Sequence, residues 1–171
     1  MAMIYKGKIV TLETKKVRWP DGHVSNYECV YHNMAVAIVP VIEKKKILLV
    51  RQLRPVVGRK MWELPAGLVD GKEKPVDTAR REMEEETGLV PRELFTLGEF
   101  YTSPGFTDEK VVLFLATEFD KGEQNFDPGE DIEINYFAIQ DTVKKIRKNQ
   151  IKDSKTIIGL FWALDHLKIK L

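Results

Sequence analysis

The stretch Gly67-Leu68-Val69-Asp70-Gly71-Lys72-Glu73-Lys74-Pro75-Val76-Asp77-Thr78-Ala79-Arg80-Arg81-Glu82-Met83-Glu84-Glu85-Glu86-Thr87-Gly88-Leu89 passes from a glycine-containing loop into a segment punctuated as a helix. Pro75 stands where a first helical turn tolerates a missing N–H, and Gly88 stands just past the end. The reading predicts a helix over about 75–87. Projected at about 100° per residue, Val76, Ala79 and Met83 share an apolar arc that would meet a sheet. Glu86 falls inside that arc, Glu82 at its edge and Glu85 further round. Ionised carboxylates approaching a core lose hydration and repel one another, so they require cations. Arg80 and Arg81 could supply them on a solvated face; a divalent metal is the economical alternative. Hard cations such as Mg²⁺ or Mn²⁺ take oxygen ligands and keep waters that can meet phosphates. His23, His32 and His166 are scattered and read as structural, so no zinc site is expected.

Working outward, two apolar runs, Ala35 to Ile42 and Ile47 to Leu53, flank the polar turn Glu43-Lys44-Lys45-Lys46 and read as buried strands. Arg51, Gln52 and Arg54 cluster where the second run leaves the core. Further strands are expected at Gly98 to Thr102, Val111 to Phe119 and Ile132 to Ile139, with helices from about Asp141 to Lys148 and Ser154 to Lys168. Ahead of all these, Ile9 to Leu12 and Val24 to Tyr31 flank the turn signal Trp19-Pro20-Asp21-Gly22, which predicts a hairpin. A hairpin alone is marginal in water, so this one must lie on the main domain or on a partner chain. The division expected is a dimerising extension over 1–33 and one main domain over 34–171.

Composition bounds the function. The chain has 171 residues, 43% of them hydrophobic, which suits one domain with an ordinary core. Its 27 basic and 26 acidic residues leave a formal charge of +1, and the basic residues are dispersed without aromatic interleaving, so a nucleic-acid partner is not expected. The longest apolar run, Met34 to Ile42, is too short to span a bilayer and contains Pro40. No secretory leader is evident, and the single Cys29 cannot form an intramolecular disulfide, so a cytoplasmic protein without a membrane partner is expected.

The full spacing of the opening stretch is decisive: Gly67, five residues, Glu73, seven residues, then Arg81-Glu82-Met83-Glu84-Glu85-Glu86-Thr87-Gly88-Leu89. This resembles the complete signature of the Nudix hydrolases. The resemblance implies an α/β/α sandwich around a mixed β-sheet, and metal bound by Glu82, Glu85, Glu86 and the backbone carbonyl of Ala66. Glu73 and Arg81 match positions that brace loop against helix. Ser103-Pro104-Gly105 puts Pro104 sixteen residues after Gly88, and with Glu63-Leu64-Pro65-Ala66-Gly67 and Arg51-Gln52-Leu53-Arg54 this is similar to the ADP-ribose pyrophosphatase subgroup.

That subgroup implies Mg²⁺-dependent hydrolysis of ADP-ribose to AMP and ribose 5-phosphate by a homodimer. Arg54, Arg51 and Glu63 are expected at the substrate, with Arg54 clamping a phosphate. Arg18, Trp19 and Tyr27 of the hairpin are candidates for holding the adenine, Pro104 is expected on the substrate side as the subgroup's marker, and Glu109 is a candidate for ribose contact or metal support. Glu130 is the expected general base, the alternatives being Glu133 or a metal-held hydroxide that needs no such residue. Competing expectations are the same chemistry on a nucleotide sugar, a dinucleoside polyphosphate or an oxidised nucleoside triphosphate, and a non-catalytic nucleotide-binding regulator. The last would normally have lost a signature carboxylate, and all are present here.

Overall fold

A computed structural model describes residues 2–126 and 131–170. The chain opens with β1 (Ala2–Lys6), β2 (Val10–Arg18) and β3 (Val24–His32), an antiparallel sheet in that order. The expected hairpin is therefore a three-stranded meander. Its extra strand carries Met3, Ile4 and Tyr5, all exposed, so no buried face announced it in the sequence. The turn that returns it is closed by the Gly7 N–H donating to the Val10 carbonyl (2.9 Å).

The main body follows with β4 (Ala35–Ile42), β5 (Lys46–Arg54), β6 (Arg59–Glu63), β7 (Ala66–Leu68), α1 (Pro75–Thr87) and β8 (Leu89–Pro91). It is completed by β9 (Phe95–Tyr101), β10 (Lys110–Ala116), β11 (Phe119–Lys121), β12 (Glu133–Ala138), α2 (Ile139–Arg147) and α3 (Ser154–His166). The central sheet runs β12-β5-β4-β10-β9, with β6 added to β5 and β7 added to β4. Among the described strands of this sheet only β4 and β10 run parallel, so the sheet is mixed as expected.

Both faces of this sheet are covered, and alternation decides which side chain goes where. From β4, Ala37, Val39 and Val41 join Leu160, Ala163 and Leu164 of α3 and Val143 of α2 in one core. Val36 and Ile38 point the other way, into a second core with Ala79 and Met83 of α1. This is the sandwich implied by the family resemblance. Ala79 and Met83 are fully buried, and truncating Met83 to alanine would cost about 2–5 kcal/mol. Val76, expected on the same arc, sits in the first turn and is exposed; Thr78 is buried instead, donating to the Glu73 carboxylate (2.8 Å).

One irregularity creates a cleft. β4 pairs with β5 only at Val41 and Ile42, and towards its other end it pairs with β7 instead. β6 holds on to β5 over Val50 to Arg54, so the Leu64-Pro65 link crosses the opening, with Pro65 accepting from the Ile38 N–H (2.9 Å). Strands that part in mid-sheet leave backbone and side chains facing a recess instead of each other.

Candidate active site

The recess is about 380 Å³ and is lined by Arg54, Ala66, Gly67, Glu109, Asp153 and Lys155, among others. Loop 103–109 closes one side because it is tied to β3: the Val30 N–H donates to Phe106 (2.8 Å), the His32 N–H donates to Asp108 Oδ1 (2.9 Å), and the Tyr27 hydroxyl donates to the Gly105 carbonyl. Glu109 thereby reaches the recess, accepting from Thr102 Oγ1 at 2.6 Å with His32 Nδ1 3.6 Å away.

Opposite lies a charged cluster. Glu63, 1% exposed, accepts from Arg54 Nε (2.8 Å) and Nη2 (2.7 Å) and from Lys155 Nζ. Burial is the largest influence on the Glu63 carboxyl and pushes its pKa up, but the Arg54 hydrogen bonds and the charges of Lys155 and Arg54 prevail and hold it below its ordinary value. The Glu63 hydrogen bond, partly opposed by burial, raises the pKa of Arg54. With Nε and Nη2 engaged, Arg54 retains Nη1 as a donor without a partner among the described residues, on a side chain that borders the recess. Lys155 is fixed in turn by Asp153 (3.0 Å), which caps α3 by accepting from the Thr156 N–H (3.0 Å). Lys155 and Asp153 escaped the sequence reading, although an Asp before a predicted helix is a cap signal that could have marked them.

On the α1 side of β7, Glu86 is buried at 3% exposure and accepts from the Ala66 N–H (3.3 Å). The Glu82 carboxylate lies against Gly67 so closely that a Cβ on Gly67 would sit 2.0 Å from it. Arg81 donates through Nη1 to Glu82 (2.7 Å) and Glu85 (2.8 Å), and it also reaches Glu73 (3.3 Å). Burial is the largest influence on Arg81 and lowers its pKa, but these carboxylates together raise it. The cation demanded by the sequence is thus supplied here by Arg81, and among the described residues no three acidic, His or Cys side chains form a ready metal cage. The donor set nevertheless fits a hard divalent cation. Glu82 lies against Gly67, whose missing side chain leaves it room, Glu86 reaches the Ala66 backbone, and Arg81 links Glu82 to Glu85 and Glu73.

The remaining expected residues divide. Strand alternation puts Arg51 on the face of β5 away from Arg54, where it stands over Trp62 (5.6 Å) and pairs with Glu133 (3.4 Å). Glu133 is held below its ordinary pKa, chiefly by a hydrogen bond from Lys60. Arg18 ends β2 in the N-terminal sheet, and Trp19, just beyond it, packs edge-on to Tyr27. Pro104 lies in the strapped loop beside Gly105. Glu130 lies outside the described residues. The segment leading to it is fastened to the end of α1, with the Asn125 N–H donating to Glu85 O (3.0 Å) and Gln124 Nε2 donating to Glu86 O (3.1 Å).

A metal-compatible carboxylate helix beside a cleft that presents an arginine defines a phosphate-handling hydrolase site. The Nudix domain matches residues 31–157, and this chain belongs to the Nudix family. It is 37% identical over 169 residues to an ADP-ribose pyrophosphatase of Bacillus subtilis, covering 98% of this chain and 89% of that one. An ADP-ribose pyrophosphatase of Mycobacterium tuberculosis is 36% identical over 161 residues, covering 92% and 77%. In fold, a solved ADP compounds hydrolase superimposes with a TM-score of 0.87 at 20% identity, over 97% of this chain and 90% of the other.

Proposed function

We propose that this Nudix pyrophosphatase hydrolyses ADP-ribose to AMP and ribose 5-phosphate with Mg²⁺, Mn²⁺ being a substitute. The observation that carries the reading is that the short strand Ala66–Leu68, which lines the Arg54 cleft, is also the strand against which the Glu82 and Glu86 carboxylates of α1 lie. Glu82, Glu85, Glu86 and the Ala66 carbonyl would hold the metal. When bound, it would neutralise phosphate charge and lower the pKa of an attacking water.

The rest falls to the chain's own groups. Glu63 and Lys155 fix the Arg54 guanidinium plane, so its remaining donors meet a phosphate without first losing rotamer freedom. Glu73, already 3.3 Å from Arg81, would keep that guanidinium paired were Glu82 and Glu85 to hold a metal. Thr102 orients Glu109 towards the recess, where it can accept from a ribose hydroxyl. Glu130 takes the proton from the attacking water. The adenine is held by Tyr27 and Arg18 of the N-terminal sheet, which also supports the homodimer: Met3, Ile4, Tyr5 and Ile9 are exposed there and suit a second copy. Among the described residues no helix is long and apolar enough to cross a membrane; a cytoplasmic location is part of the same proposal.

A panel of ADP-ribose, GDP-mannose, diadenosine polyphosphate and an oxidised nucleoside triphosphate, assayed with Mg²⁺, tests the substrate. ADP-ribose is expected to give the highest kcat/KM, with AMP and ribose 5-phosphate as products. Turnover of another member at a much higher kcat/KM would refute this substrate while leaving the diphosphate chemistry standing.

A further inference from the structure

A second recess lies away from the cleft just described. It has a volume of about 430 Å³, and its wall carries Arg51, Arg59, Lys60, Lys145 and Lys152 around the Trp62 indole. The carboxylates paired with these cations among the described residues are Glu133, shared by Arg51 and Lys60, and Asp131, on Lys60 (2.7 Å). Five cations against two carboxylates leave a formal surplus of three positive charges, on a chain whose total is only +1. Such a concentration is unfavourable unless an anion offsets it.

Helix stabilisation accounts for part of the cluster. Lys145 lies in the last turn of α2, where a cation complements the exposed carbonyls. That reason does not extend to Arg59 on β6 or to Lys152 beyond the helix, which the fold brings to the same recess from elsewhere in the sequence. The frame behind them is firm. Ile151 is buried at 1% exposure, and Asn149 turns the chain at φ 58° with its N–H donating to Ile146 O (2.9 Å). Trp62 is fixed edge-on against Phe137 (4.9 Å), and Lys145 stands 5.2 Å over the same Phe137 ring.

We propose that this recess is a second ligand site, which binds the diphosphate group of a small molecule. The surplus of three charges matches a diphosphate near neutral pH, and the volume leaves room for an organic substituent. The site shares no lining residue with the catalytic cleft, so its occupation does not depend on the substrate assigned there.

The test titrates the full chain with pyrophosphate and, separately, with ADP. EDTA is present throughout to suppress metal-supported binding in the cleft. The indole N–H resonance of Trp62, identified by its loss in Trp62→Phe, reports on the recess. A saturable shift is expected, weakened at least about tenfold in Arg59→Ala/Lys152→Ala and by added salt. Both substituted side chains are exposed, and an otherwise unchanged amide spectrum shows that the variant is folded. Equal affinity for the two ligands supports recognition of the diphosphate alone; tighter binding of ADP supports the site with a nucleoside contact added. No saturable shift with either ligand, or the same affinity in the double variant, overturns the proposal.

Discussion

Arg54 and Glu63 form an ion pair with a consequence for stability and, on the proposed function, for binding. Glu63 is almost fully buried, and two cations hold it ionised. Arg54→Ala leaves that carboxylate with Lys155 alone and is expected to cost about 1–3 kcal/mol of stability, read as a lower denaturation midpoint. If Arg54 also clamps a phosphate, its loss raises KM for ADP-ribose about tenfold or more with a smaller fall in kcat. A fall in kcat at unchanged KM would remove Arg54 from substrate binding. The same pair sets a pH dependence. The folded-state pKa of Glu63 lies below its unfolded value, so its stabilisation is complete above the ordinary carboxylate range and is lost as pH falls through the folded value. Glu63→Gln is therefore less stable than the wild type at neutral pH, and the gap should narrow below about pH 4.5. A gap that stays constant into acid would contradict this.

Among the elements, the short strand Ala66–Leu68 is central to the site, because it lines the cleft and has Glu82 and Glu86 of α1 against it. Gly67→Ala would drive a Cβ into the Glu82 carboxylate. The obstructed atoms end a flexible side chain, so stability should change by less than about 1 kcal/mol while Mg²⁺-dependent turnover falls at least about tenfold. Full activity in Gly67→Ala would place Glu82 outside the metal site. This strand also marks how far the sequence could be read. α1 was legible to its boundaries, because Pro75 and Gly88 punctuate it and Ala79 and Met83 repeat at helical spacing. The Ala66–Leu68 strand was not, since three residues give no periodicity and its pairing with β4 depends on β5 turning away. Arg51 and Arg54 looked like one cluster in sequence, yet an odd separation along a strand sends them to opposite faces. Lys155 comes from the last helix, 92 residues from Glu63, and no local pattern could join the two.

Across the whole molecule, charge organises the function while the net charge stays near zero. The chain puts carboxylates along α1, a caged arginine in the cleft and a separate basic recess behind β5, and each region follows from where the sheet is covered and where it parts. The N-terminal sheet adds exposed apolar side chains, and size-exclusion chromatography with light scattering should find a dimer that is lost when residues 1–33 are deleted. A monomeric full-length chain would refute that assignment. The central claim is that the α1 carboxylates support metal-dependent cleavage of a diphosphate. It is tested most directly by AMP release from ADP-ribose across a Mg²⁺ titration, in the wild type and in Glu85→Gln. The wild type should show saturable Mg²⁺ dependence, and the folded variant should fall at least about a hundredfold, equivalent to about 2.7 kcal/mol of lost transition-state stabilisation. Turnover that ignores Mg²⁺, or that survives intact in Glu85→Gln, would contradict it.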